Sequence, residues 1–343
     1  MHWRSLPALA LVLLCATLGA VAPSTLRAQA SAMLLVRVHD SLSGAPLPNA
    51  EVTALGRKTL TGPKGQVRIV WPPEGVLFVR VRQLGFRYVQ RTVQRGTSTT
   101  EDTLTIAMQR GAIALPQMVA AAPARCRDED ANAPPTPLSQ SAMELLRFGA
   151  EQYGTFRGRY PFALLLERHT DLFVRGSNIP RRENSEELTS SDEWGDRYAP
   201  GQVLQRTGAQ SWFVPLLFVS ALADSAFWAR HCFIARGVEE HDGRRVIRLD
   251  FSPARDVKDA EWEGAAWIDS SASVLARVEF RLTNLRERTG PSQFEGYTVF
   301  TTPSPYIARP DSTVARWTSA SSGGWSQQSL VIRDVKYTKE NPP

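Results

Sequence analysis

Val36 to Val52 reads V-R-V-H-D-S-L-S-G-A-P-L-P-N-A-E-V, Thr61 to Ile69 reads T-G-P-K-G-Q-V-R-I, and Val76 to Phe86 reads V-L-F-V-R-V-R-Q-L-G-F. Short runs that alternate apolar and polar residues are separated by clusters of Asp, Ser, Pro and Gly. A period of two puts one face of a strand in a core and the other in water, and the clusters supply turns, so the stretch predicts a small β-sandwich. Asp40 to Gly44, Thr61 to Gly65 and Pro72 to Gly75 are the turns. Pro46 and Pro48 cannot donate ladder bonds, which places them at a strand entry or a sheet edge. Leu77, Val79 and Val81 form an apolar face against Phe78, Arg80 and Arg82. A strand around Tyr88 to Val93 and another from Thr103 to Met108 complete a module over residues 31–110.

The pattern D-S-x-S-G-x-P-L-P-x-A-x-V from Asp40, T-x-x-x-G-x-V from Thr61 and V-R-x-L-G-F from Val81 resembles the carboxypeptidase regulatory-like domain. The resemblance implies a transthyretin-like (prealbumin-type) sandwich, grouped with carbohydrate-binding-like folds. The same domain stands at the N-terminus of TonB-dependent outer-membrane receptors. Gly62-Pro63-Lys64 replaces the turn in which that family usually carries an acidic residue. The resemblance implies a module that accompanies enzymes and transporters without performing chemistry.

The chain begins with Arg4, an apolar run from Leu6 to Ala22 and a small-x-small site at Ala28-Gln29-Ala30. This is the anatomy of a secretory signal peptide over residues 1–30. Its removal takes Arg4 and Arg27 from the 40 basic residues and none of the 34 acidic ones, leaving 38 against 34, a net charge of +4. The basic residues alternate along strands instead of clustering, which fits a solvated sheet face and gives no nucleic-acid surface. Cys126 and Cys232 remain after cleavage, and an even pair in an oxidising compartment predicts a disulfide between them.

Residues 111–137 read as a Pro-rich linker, with Pro123, Pro134, Pro135 and Pro137 and a charged patch from Arg127 to Asp130. Residues 138–343 then read as an α+β domain dominated by antiparallel sheet. Ser141 to Glu144 fits a capping box, predicting a helix to about Gln152. Phe162 to Arg168 reads as a buried strand, and Arg181 to Arg197 as a polar loop. Asp224 is a cap for a short helical turn that ends near His231-Cys232. From there strands are expected at 233–238, 247–251, 262–269, 277–282, 294–301, 314–318 and 330–337. His241-Asp242-Gly243-Arg244 makes a hairpin turn between the first two. In the clearest of these strands Val278, Phe280 and Leu282 alternate with Arg277, Glu279 and Arg281, so one face needs a cover. The fold class is therefore mainly β: a sandwich, then a helix with a curved antiparallel sheet.

H-C-F from His231, L-D-F-S-P from Leu249 and G-A-A-W-I-D-x-x-x-x-V-L-A-R-V-E-F from Gly264 resemble the C-terminal half of uncharacterised bacterial envelope proteins. The strand pattern is also similar to the open barrel of periplasmic lipoprotein carriers. Trp262 and Trp267 are either core aromatics or the lining of a sugar or acyl groove. His39, His169, His231 and His241 begin neither H-x-x-E nor H-E-x-x-H, so no metallopeptidase site is spelled out. His231 and Cys232, as neighbours, point apart, which disfavours a thiol–imidazole pair. The expectation is an exported, non-enzymatic protein of the periplasm or outer-membrane surface with no cofactor and no metal. It acts by binding a glycan or a surface assembly, or it carries a lipid on the curved sheet.

Overall fold

The computed structural model describes residues 32–97, 101–111, 126, 134–177, 179–190, 198–208, 212–214, 219–241, 243–285, 290–319 and 323–342. The expected signal peptide and most of the expected linker lie outside the described residues. Among those described, seven strands build the first module: β1 (Met33–Asp40), β2 (Glu51–Ala54), β3 (Arg57–Leu60), β4 (Gln66–Val70), β5 (Val76–Arg82), β6 (Val89–Gln94) and β7 (Glu101–Met108). They form a three-stranded sheet in the order β4-β1-β7 and a four-stranded sheet in the order β3-β2-β5-β6. Leu34, Val36 and Val38 of β1 meet Val52 of β2 and Leu77, Val79 and Val81 of β5 in one core. The alternation that predicted the sandwich is the alternation that buries it. Strand β3, with Arg57 and Lys58 exposed, had no apolar signal of its own.

Helix α1 (Pro137–Arg159) follows. The sequence had suggested a start at Ser141; instead the Thr136 side chain accepts from the Ser139 N–H at 3.1 Å, with Pro137 at the first helical position. Proline lacks the N–H that a first turn leaves unbonded, so the threonine–proline pair starts the helix five residues earlier than the serine would. The helix also runs past Gln152 to Arg159, because Tyr153 and Phe156 continue its buried side.

The remaining elements are β8 (Phe162–Phe173), β9 (Arg181–Ser190), the short pair β10 (Gln205–Arg206) and β11 (Trp212–Phe213), and a 3-10 turn (Val219–Ala223). Then come α2 (Ser225–Arg230), β12 (His231–His241), β13 (Arg244–Pro253), β14 (Glu261–Asp269), β15 (Val274–Thr283), β16 (Pro291–Ser304), β17 (Ile307–Ser319) and β18 (Trp325–Tyr337). Nine of these strands form one curved antiparallel sheet, ordered β12-β13-β14-β15-β16-β17-β18-β8-β9. Part of the stretch expected as a loop is β9. It lies at the sheet edge with both faces exposed and pairs only with β8, so it carries no apolar alternation to read. Cross-strand ion pairs Arg168–Glu187 at 2.9 Å and Arg182–Asp171 at 3.3 Å take the place of packing.

One face of the sheet presents Leu249, Phe251, Trp262, Ala266, Val278, Phe280, Leu282 and Phe294, and α1 lies across it with Leu146, Tyr153 and Phe156 in the same core. The sandwich closes over the other side of α1. Leu60 and Leu84 join that core, Gln152 donates to the Asn49 carbonyl at 2.6 Å, and the Phe148 ring lies 4.3 Å from the Arg82 guanidinium. The Asn49 amide donates to the Ser304 hydroxyl at 2.7 Å and the Pro305 carbonyl at 2.9 Å, and Phe86 meets Tyr306 edge-on. The sandwich thus sits at the end of the sheet where β16 turns into β17.

Arg82 is the hinge of this contact. Its guanidinium donates to Glu51, whose side chain is wholly buried, at 2.7 Å, and to Glu151 of α1 at 3.0 Å. Burial pushes Glu151 up, but the Arg82 hydrogen bond and the nearby Lys58 and Arg147 outweigh it and hold its pKa below the usual value. Replacing Arg82 by Met should cost about 3–5 kcal/mol in chemical denaturation, because Glu51 is left buried and under-compensated. Adding Glu51→Gln should recover much of that loss.

Cys126 and Cys232 are disulfide-bonded, as expected, with Cα atoms 5.8 Å apart and 106 residues between them. The bond is buried with Ala254 and Val257. Cys232→Ser should lower stability by about 2–5 kcal/mol, read from the denaturation midpoint with and without reductant.

Candidate functional site

The second face of the curved sheet carries the other half of each strand's alternation. Strands β12 to β18 line a groove there of about 880 Å³. Apolar patches come from Ile234, Ala265 and Val314, and a flat ring from Tyr297. Charges are arranged in linked pairs. Asp250 accepts from Arg236 at 2.8 Å and from Arg248 at 2.7 Å, Arg277 lies 3.0 Å from Glu279, and Arg281 pairs with Glu263. The Arg277 guanidinium also lies 3.9 Å from the centre of the Tyr297 ring, close enough for a cation–π contact. Arg316 donates to Gln327 at 3.0 Å, and Glu295 sits in register with both Arg281 and Arg316. Five arginines against four carboxylates make a nearly balanced lattice that offers guanidinium faces, N–H donors and one aromatic plate. Such a surface suits a polar head with hydroxyls or an anion better than a bare hydrocarbon.

Two glycines shape the sheet beneath it. Phe251, Gly264, Phe280, Gly296 and Ala315 are register partners in successive strands. A Cβ on Gly264 would collide with the Glu279 carbonyl oxygen and stand 2.9 Å from the Phe251 ring. On Gly296 it would collide with the Val314 carbonyl and stand 2.9 Å from the Phe280 ring. Backbones come this close only where a side chain is missing, and the neighbouring rings cover the gaps, so the sheet bends along this row. Gly264→Ala should cost about 1–3 kcal/mol through overpacking. Gly154→Ala, on an exposed turn of α1 with open space around it, should stabilise by about 0.4–1 kcal/mol. Parallel urea titrations check both.

Trp262 and Trp267, the two aromatics singled out from the sequence, are adjacent to this groove in the chain but do not line it. Trp262 points to the α1 side, 2% exposed, with Phe280 and Phe294 at 5.3 and 6.0 Å. Trp267 is on the second face but is covered by His241 stacked at 4.5 Å and by Arg248 at 5.2 Å. Both adopt the core reading, because each has a partner layer that the sequence could not reveal. The residues that do line the groove, Arg248, Arg277, Arg281 and Tyr297, were legible as the polar face of strands and not as a site. Their only signal was alternation repeated in register over several strands.

His231 and Cys232 are not a nucleophilic pair. Cys232 is in the disulfide, and the His231 ring nitrogens lie 2.7 Å from the Phe227 carbonyl and 3.0 Å from that of Trp262. Burial pushes the His231 pKa down against the pull of Glu261. Glu261, fully buried, accepts from the Tyr198 hydroxyl at 2.6 Å and from the Trp262 N–H at 3.0 Å, with Arg230 at 3.4 Å. Among the described residues no group of three or more His, Cys, Asp and Glu could hold a metal ion, and no helix is long and apolar enough to cross a membrane.

No family model matches the chain, and no curated protein matches it. Among solved structures it is similar to an outer membrane lipoprotein-sorting protein domain from Vibrio parahaemolyticus. That alignment has 10% identity over 59% of this chain and 94% of that one, with a TM-score of 0.33. It is also similar to a LolA superfamily protein from Nitrosomonas europaea, with 13% identity, the same two coverages and a TM-score of 0.30. A DUF1329 family protein from Desulfovibrio piger aligns with 10% identity and a TM-score of 0.31 over the same shares of both chains.

Proposed function

We propose that this chain is an exported, non-catalytic carrier that holds a lipid-class ligand by its polar head in the groove on the free face of the curved sheet. The observation that carries the reading is the groove itself. Its volume of about 880 Å³ falls in the range of small-molecule sites, and its lining mixes guanidinium pairs, a tyrosine plate and short aliphatic side chains. The opposite face supports the same assignment by being occupied. A void among α1, the sheet and the sandwich holds about 10 Å³, lined by residues such as Leu84, Leu146 and Ile268. Export rests on the apolar leader and the Ala28-Gln29-Ala30 site, and the disulfide fits an oxidising compartment.

A second reading places an acyl chain under α1 in place of the helix–sheet contact. It is favoured by the apolar lining of that void and by Gly149, whose missing side chain would approach Leu84 at 4.0 Å. Native mass spectrometry of protein purified from its own envelope separates the two. The groove reading expects a retained mass of lipid size that is lost in the Arg277→Ala/Tyr297→Ala variant and kept in Gly149→Leu. The reverse pattern moves the ligand beneath the helix, and an empty wild-type protein removes the carrier assignment.

A further inference from the structure

At the end of the sheet away from the sandwich, the β8–β9 hairpin ends in an unusual tip. Val174 and Ile179 are 71% and 82% exposed. Directly behind them Phe173 and Trp325 of the neighbouring strand β18 stack face to face at 3.7 Å, with Trp325 37% exposed and the Arg316 guanidinium 5.2 Å from its ring. Residues 171–183 hold three arginines against two carboxylates: Arg181 pairs with Glu183 at 3.0 Å and Arg182 with Asp171 at 3.3 Å, which leaves one net positive charge, at Arg175. The side chain of Arg175 reaches the β17–β18 turn, where it lies against Gly323.

Single exposed aliphatic residues are ordinary on protein surfaces. Here two of them cap one hairpin, a stacked aromatic pair stands one layer back, and the hairpin end carries a net positive charge. The aliphatic tip and the aromatic pair behind it match the acyl boundary and aromatic belt of a bilayer surface, and the net positive charge suits headgroup anions. We infer that this tip docks the protein on a membrane surface rich in anionic lipid, with Val174 and Ile179 entering the acyl boundary and the arginines meeting the headgroup phosphates. The docking does not depend on what the groove holds, since none of these tip residues except Arg316 lines it.

The test is co-sedimentation of the full mature protein with vesicles of phosphatidylcholine alone or mixed with phosphatidylglycerol. Binding is expected on the mixed vesicles and weaker on phosphatidylcholine alone, and it should fall as salt is raised. Val174→Ser/Ile179→Ser should lower the partition coefficient about tenfold, and Arg175→Ala about fivefold. Leu42→Ser, at an 86% exposed position in the sandwich, should leave it unchanged. The tip variants alter only exposed side chains, so far-ultraviolet circular dichroism and the mass of any retained ligand should match wild type. Failure to sediment with the mixed vesicles would overturn the inference. So would tip variants that bind like wild type, or an equal loss in Leu42→Ser. The groove assignment would stand in each case.

Discussion

The structure depends on covering one face of a nine-stranded sheet. Leu249, Phe251, Trp262, Val278 and Phe280 all point the same way, and water on that face would be costly, since each large side chain contributes about 1.5–3 kcal/mol when fully buried. Helix α1 provides the cover, and Arg82 keeps it there. The guanidinium bonds Glu51 in the sandwich and Glu151 in the helix at once, so the two β modules grip α1 from opposite sides. A half-buried arginine between two carboxylates is worth little against a well-packed apolar substitute, but its loss is costly because Glu51 is fully buried. Its contribution is therefore to specify where the helix lies.

Covering one face leaves the other free, and the free face inherits every alternate residue of the same strands. Arg277, Glu279 and Arg281 lie on the far side of β15 from Val278, Phe280 and Leu282 for no reason beyond the pleat. What makes a site of them is the bend along Gly264 and Gly296, together with the register that sets Tyr297 beside Arg277 and Asp250 between Arg236 and Arg248. The arginines are held in place by the carboxylates, so their donors and planar faces are ordered before any ligand arrives. Such pre-organisation reduces the entropy lost on binding.

The two ends of the sheet differ for a related reason. At one end the β16–β17 turn is bonded through Ser304 and Pro305 to Asn49, and Tyr306 meets Phe86. At the other, the disulfide and the buried Glu261 network pin the start of β12 and β14, and the β8–β9 hairpin turns there.

Much of this was legible along the chain. Strict alternation in Leu77 to Val81 and in Val278 to Leu282 announces strands with one wet face, since a period of two admits no other regular structure. The cysteine pair announces its bond because only two thiols lie outside the apolar leader expected over residues 1–30. The start of α1 at Thr136 was written in its Thr-Pro pair, though Ser141 with Glu144 imitated it. What composition and periodicity could not decide is which layer meets which face. Trp262 and Trp267 have the same local character, yet one packs beneath α1 and the other under His241. Strand β9 has no pattern because its order comes from its neighbour β8. The groove exists only once seven strands are in register, since its lining is drawn from residues up to about a hundred positions apart and local sequence carries no record of that distance.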